Sequence, residues 1–384
     1  MDIESGFFFI SDITGYTKFL TQSELDHAKE ILDAVFDSIL EHVEAPLAVS
    51  KVEGDAIFCY VSDRRLRQPQ SMLDAMEMTY FEFRRQLTLM DINTTCDCNA
   101  CVNMSALDLK IFIHHGDYII HEIAGGTELT GPDVILAHRL MKNTVKETTG
   151  LTGYGLLTQA AIDAIGVTDA TADMVEHVEH YEDFGEITSY IADLRAAWTI
   201  EAKRGRKRLP PEDAAAQAKV FVPVPPTIAW AYATDGAVKK RLNRVDTHER
   251  TDADPGARVG IGASFHCAHE LGDVDYVIVD IDAPHYYTNA NQSGDLATLT
   301  TVEIHPAEGG AEFQILMGMA DGGGGELRAL LQDGVDLAAA TFAEIIAADL
   351  EAGVISQDHM ELTQAGKKKA MRPGVAAGRF ADLR

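Results

Sequence analysis

Residues 7–20 read FFFISDITGYTKFL. The four apolar residues Phe7–Ile10 predict a buried central strand. The strand ends in Ser11-Asp12, followed by Ile13-Thr14-Gly15-Tyr16-Thr17. A carboxylate there, next to a glycine, is a poor core residue. Its oxygens are hard ligands suited to a divalent cation, and a following backbone carbonyl can join them. The other use of such an Asp is to start a turn or cap the next helix.

A second carboxylate stands in a matching setting. Leu47–Lys51 alternates, Glu53-Gly54 follows, and Ile57-Phe58-Cys59-Tyr60-Val61 runs on after Asp55. This predicts a β-hairpin with Glu53-Gly54 at its tip. Two carboxylates, each beside a tight turn on a buried strand, are suited to sharing divalent cations and a triphosphate.

Asp12–Thr17 (DITGYT), Lys51–Phe58 (KVEGDAIF) and Leu129–Leu140 (LTGPDVILAHRL) together resemble the three signature blocks of class III nucleotide cyclases, in that family's order. The resemblance covers about residues 5–195. It implies an α+β fold, a cyclase-like ferredoxin-type α/β sandwich. It implies that Asp12 and Asp55, with the Ile13 carbonyl, hold Mg²⁺ or Mn²⁺. Lys51 and Glu128 take the place of the family's purine-reading pair, and Arg139 that of its phosphate-binding arginine. The chemistry implied is in-line attack of a ribose 3′-hydroxyl on the α-phosphate of a nucleoside triphosphate. The family builds each site across a homodimer, so a homodimer is expected.

Two departures weigh against turnover. The family's Asn is Ile135 here, which cannot hydrogen-bond a ribose. Its late transition-state Lys aligns with Glu182, and no Lys lies between Lys146 and Lys203. Losing one preorganised donor slows a reaction by roughly a hundred- to a thousand-fold. The expectation is a weakly active or inactive cyclase-like domain that binds metal and nucleotide; the alternative is an active purine nucleotide cyclase.

Between these blocks, Ala28, Ile31, Leu32, Val35, Phe36, Ile39, Leu40 and Val43 follow the i, i+3, i+4 pattern of an amphipathic helix. A second helix is predicted over roughly 71–90. Residues 107–114 and 118–123 read as two strands joined at His115-Gly116-Asp117, with His114 and His115 as strand-end residues. Cys96, Cys98 and Cys101 lie within one loop. They offer most of a Zn²⁺ site, with Cys59, His114 or His115 as fourth ligand; redox-active thiols and reduced bystanders are the other readings.

Acidic residues number 60 against 32 basic, a formal charge of −28. That field argues against nucleic acid and anionic membranes as partners. No apolar run approaches the roughly 18–20 residues of a membrane span, and a cytoplasmic protein is expected. Five cysteines in 384 residues make no disulfide framework.

The expected domains are 1–196, a basic and Pro-containing linker over 197–216, a second domain over 217–355 and a tail over 356–384. The linker holds Lys203–Arg208, read as solvated. The second domain orders a strand, a Pro225-Pro226 helix with Trp230 and Tyr232 as core, several strands and a long helix over about 327–350. That order resembles the START-like (SRPBCC) helix-grip fold, which implies an apolar small molecule held between sheet and helix. His266, Cys267 and His269 invite a metal reading, but alternation along a strand accounts for them.

Overall fold

The computed structural model describes residues 3–43, 47–123, 126–245, 247–254, 256–268, 272–319, 325–356 and 359–360. The chain divides into two compact units, the first reaching Arg204 and the second starting at Gly205, with 167–169 grouped with the second. Each is a mixed α+β structure built on one sheet.

The first unit runs β1 (Ile3–Thr14), α1 (Tyr16–Gln22), α2 (Leu25–Val43), β2 (Ala48–Glu53), β3 (Ala56–Ser62), α3 (Ser71–Asn93) and α4 (Asn99–Asn103). It continues with β4 (Asp108–Ile123), β5 (Gly126–Thr130), α5 (Pro132–Leu140), α6 (Val145–Thr149), β6 (Tyr154–Thr158), α7 (Gln159–Ile165), β7 (Met174–Tyr181), β8 (Gly185–Asp193) and α8 (Leu194–Glu201). The sheet order is β2-β3-β1-β4-β6-β8-β7, with β5 paired to β4.

β1 therefore lies inside the sheet, antiparallel to β3 on one side and β4 on the other. Phe7, Phe8, Phe9 and Ile10 are at most 1% exposed, which is why four consecutive apolar residues suit it. Phe8 and Ile10 pack with Phe58, Phe112 and Tyr154 against Val134 and Leu140 of α5. On the other face, a Cβ at Gly155 would meet Met76 Sδ at 2.2 Å, so the glycine lets α3 lie close. The buried Asp108 carboxylate accepts hydrogen bonds from Tyr80, Thr152 and Arg195 at 2.7–2.8 Å, joining α3, β4 and α8.

The two strands expected over 107–123 are one. Ser5, Gly6 and Phe7 pair with Asp117, Gly116 and His115, so the ladder runs through the segment read as a turn. Gly116 serves close approach: a Cβ there would meet Asp133 Cγ at 2.4 Å. His114 and His115 thus sit mid-strand. The stretch read as a solvated linker is also structured. Residues 197–201 continue α8, where Trp198 lies 5.9 Å from the Phe81 ring. Arg208 bonds to Glu303, which is 1% exposed, and Arg206 Nη1 lies 3.5 Å from the fully buried Asp280.

The second unit runs β9 (Ala216–Val222), α9 (Pro226–Thr234), α10 (Gly236–Leu242), β10 (Thr247–Arg250), β11 (Ser264–Ala268), β12 (Val274–Asp282), β13 (Tyr286–Ser293), β14 (Leu296–Ala307), β15 (Gly310–Met319) and α11 (Gly325–Glu351). Its antiparallel sheet has the order β10-β11-β12-β13-β14-β15-β9. The long helix packs on β9 and β15, with Phe342 stacked on Phe313 at 4.1 Å. Trp230 and Tyr232 are core residues, as expected. Arg241 forks onto Asp349 at 2.9 and 3.0 Å, and Tyr232 donates to the same carboxylate, locking α9 and α10 to α11. No helix among the described residues is long and apolar enough to cross a membrane.

Candidate functional site

The end of β1 and the tip of the β2–β3 hairpin adjoin. Asp12 pairs in register with Ala56, and the Ile13 amide donates to the Asp55 carbonyl at 3.1 Å. Gly54 has φ 63°, the left-handed conformation that lets the hairpin turn tightly there. Burial, and then the Asp55 carboxylate, push the Asp12 carboxyl above its ordinary value; Lys110 works in the opposite direction. Lys110 is Asp12's partner on β4, with Nζ 3.9 Å from Oδ2. Two carboxylates crowded at adjoining strand ends are hard donors, and this donor set fits a Mg²⁺ or Mn²⁺ ion.

A second group lies on the same sheet face, since Ile10 opposes Phe58 and Phe58 opposes Lys51. Lys51 Nζ lies 2.8 Å from Glu53 Oε1 and 3.7 Å from Glu128 Oε2. Burial lowers the Lys51 ammonium, but Glu53 and then Glu128 outweigh it and hold it above its ordinary value. Glu128 reaches this place from β5, paired with His121 of β4. His138 of α5 comes from above, its ring 4.8 Å from Phe58 and its Nδ1 3.8 Å from Glu53 Oε2. Burial holds the His138 imidazole below its usual range, with Glu53 opposing.

The structure thus groups Asp12 with Asp55, and Lys51 with Glu128. Arg139 is exposed on α5, and its guanidinium has no ion pair or hydrogen bond among the described residues. Ile135, on the same helix, is 54% exposed. Glu182 is exposed in the turn between β7 and β8. The sequence reading missed Lys110 and His138. Lys110 is one basic residue in an apolar strand stretch, and His138 lies inside the third block, directly before Arg139.

Cys96, Cys98 and Cys101 do cluster, but none of the expected fourth ligands joins them. Cys59 is buried in β3, and His114 bonds Thr158 Oγ1 at 2.8 Å. His115 lies 3.0 Å from Asp63. The residue in that place is His27 of α2. In the second unit Cys267 is buried while His266 pairs with Asp275 at 2.8 Å, the alternation expected of a strand. His269 lies outside the described residues.

The second unit holds a cavity of about 370 Å³ between sheet and α11, lined by Lys239, Tyr276, Tyr287, Phe313, Leu331 and Val335 among others. Lys239 is 4% exposed. Its Nζ sits 4.5 Å from the Tyr287 ring centre, 5.3 Å from Tyr276 and 5.5 Å from Phe265. No carboxylate among the described residues pairs with it. Burial lowers its ammonium to about 8.

Residues 32–149 match the family described as a protein of unknown function, DUF2652. The uncharacterized protein Rv2561/Rv2562 of Mycobacterium tuberculosis is 25% identical over 166 residues, 43% of this chain and 72% of that protein. Among solved structures, the guanylyl cyclase Cya2 aligns over 50% of this chain and 92% of its own at 14% identity, TM-score 0.38. The adenylyl cyclase CyaB from P. aeruginosa aligns over 54% and 98% at 16% identity, TM-score 0.35. The guanylate cyclase domain of RhGC from Catenaria anguillulae, in complex with GTP, aligns over 50% and 98% at 14% identity, TM-score 0.35. At these scores the likeness is a description and carries no chemistry across.

Proposed function

We propose that the first unit is a divergent class III cyclase-like domain that binds a purine nucleoside triphosphate with Mg²⁺ or Mn²⁺ and cyclises it weakly or not at all. The observation that carries this reading is the convergence of four residues from separate elements. Asp12 and Asp55 meet at adjoining strand ends, and Lys51 meets Glu128 on the same face. A cation beside a carboxylate can read the adenine ring's acceptor nitrogen and its exocyclic amine together.

Asp12 and Asp55 would hold the ion, with the Ile13 carbonyl beside them. Once bound, the ion would neutralise charge on the phosphates and favour the ionised form of an attacking hydroxyl. Lys110 adds a cation at the carboxylate pair, and the unpaired Arg139 is free to clamp a phosphate bidentately. Nothing in Ile135 or Glu182 supplies the ribose contact or the transition-state cation, so binding outlasts turnover.

The second unit is proposed as a helix-grip, START-like domain whose ligand is an apolar molecule with an anionic head. The order β9-α9-α10, six further strands and α11 supports the fold. The ammonium of Lys239, 3.5 Å from Tyr276 Oη and without a carboxylate partner among the described residues, lies in a largely apolar cavity and supports the anionic head, since a buried charge is costly until an opposite charge pairs it. The two units together suit a sensory or regulatory protein working as a homodimer.

The test is calorimetric titration of the full chain with ATP and GTP in Mg²⁺ and in Mn²⁺, beside measurement of cyclic nucleotide formed. Metal-dependent binding that Asp12→Ala and Asp55→Ala abolish, with little product, is the expected result. No binding of any triphosphate would sink the reading. Robust product lost in Asp12→Ala would establish the active cyclase in its place.

A further inference from the structure

We infer that His27, Cys96, Cys98 and Cys101 hold one structural zinc ion, clipping the start of α2 to the segment between α3 and β4. The three thiols lie within six residues at the start of α4, and the imidazole comes from some seventy residues earlier in the chain. Their donor atoms all lie within 4.8 Å of one another.

The distances are those of a shell around a common centre. His27 Nδ1 lies 3.2 Å from Cys98 Sγ, 3.5 Å from Cys101 Sγ and 3.6 Å from Cys96 Sγ. Tetrahedral zinc, with Zn–S about 2.3 Å and Zn–N about 2.0–2.1 Å, sets nitrogen and sulfur about 3.5 Å apart. One ring nitrogen can hydrogen-bond only one thiol well, so hydrogen bonding alone does not gather three around it. All three are free cysteines.

The surroundings suit thiolate ligands. Cys98 caps α4, and its Sγ accepts the Cys101 amide at 3.5 Å. An amide donor of this kind steadies a thiolate and orients it toward the ion. Glu24, just ahead of α2, accepts from the Ala100 amide at 3.1 Å and from Asn99 Nδ2 at 3.0 Å. The same two segments are thus already held in register beside the cluster.

Soft sulfur with one imidazole selects zinc over Mg²⁺ or Ca²⁺, which take oxygen. Four protein donors fill a tetrahedral ion and leave no open position, so the site is structural and does no chemistry. The three thiols release their protons as the ion binds. This ion is separate from the one proposed at Asp12 and Asp55, and its assignment stands whether or not that one binds.

The test is metal analysis of the full chain, purified without chelator and desalted. About one zinc per chain is expected. Cys98→Ser and His27→Ala should lower it several-fold, while Cys59→Ser and Cys267→Ser leave it unchanged. If the first two variants fail to fold, His27→Cys, which keeps four donors, should retain zinc. Wild-type chain stripped under denaturant and refolded with Co²⁺ should show the intense thiolate-to-cobalt absorption of a tetrahedral sulfur site. Substoichiometric zinc after refolding in excess zinc would overturn the inference, as would Cys98→Ser retaining a full equivalent. A disulfide within the cluster or iron in the ion's place would overturn it as well.

Discussion

Ile135 and Glu182 are the two side chains that separate binding from turnover in the proposed site. Restoring a ribose-directed amide and a cation by Ile135→Asn with Glu182→Lys should raise cyclic nucleotide formation by about a hundredfold, one donor's worth or more. Product that stays flat would show that further groups are missing. Lys239 poses the residue-scale question of the second unit. The groups facing its ammonium are Tyr276 and Tyr287 of the sheet, His248 of β10 and Cys267 of β11. Its pKa falls from 10.5 in the unfolded chain to about 8 in the folded one. Between those values the unfolded chain holds the extra proton, so stability rises as pH climbs from about 8 to about 10.5. Below about 8 the cost is full. Lys239→Met should therefore stabilise the second unit at pH 7 by about 1–3 kcal/mol, once the attraction of the ring faces is discounted. It should flatten the alkaline slope and weaken binding of an apolar carboxylate more than of its neutral analogue. Denaturant unfolding across pH, with long-chain acid and alcohol as probes, checks all three.

At the scale of elements, α11 owes its place to a few large side chains. Phe342 is fully buried, stacked on Phe313, and shares the core with Val335 and Ile346. Phe342→Ala should cost about 3–5 kcal/mol, read as a lower denaturant midpoint for the second unit. Phe313, on which Phe342 stacks, lines the cavity, so ligand affinity should fall with the truncation. β1 and the β2–β3 hairpin show how elements read in a sequence. The run of four apolar residues, and the hairpin turn at Gly54, are local signals, and both elements lie where those signals put them. β4 shows the opposite. His115-Gly116-Asp117 carries the composition of a turn, yet pairing with β1 and the close approach of Asp133 keep it extended. Propensity gave way to tertiary pairing.

At the scale of the whole molecule, a formal charge of −28 makes self-repulsion a term in stability. Raising ionic strength from about 0.01 to 0.15 M shortens the screening length from about 30 to about 8 Å. Tm of the full chain should rise by a few degrees; a fall would mean that local ion pairs outweigh the net field. Light scattering at micromolar concentration should give a dimer, the assembly proposed above. A monomer would count against the proposed homodimer.

The sequence by itself determined what depends on neighbours in the chain: the buried strand before Asp12, the amphipathic α2, the hairpin at Gly54 and the core role of Trp230 and Tyr232. It also marked both Asp12 and Asp55, because a carboxylate at the end of a buried strand is out of place in a core. Only the tertiary structure decided what those residues meet. Lys110 stands beside Asp12, and His138 stands over Glu53. His27 completes the thiol cluster, and Arg206 and Arg208 turn from an apparently solvated run toward buried carboxylates. Each of these is a long-range pairing. No periodicity encodes which distant residue will face another, because that depends on strand order and on how closely helices can approach a sheet.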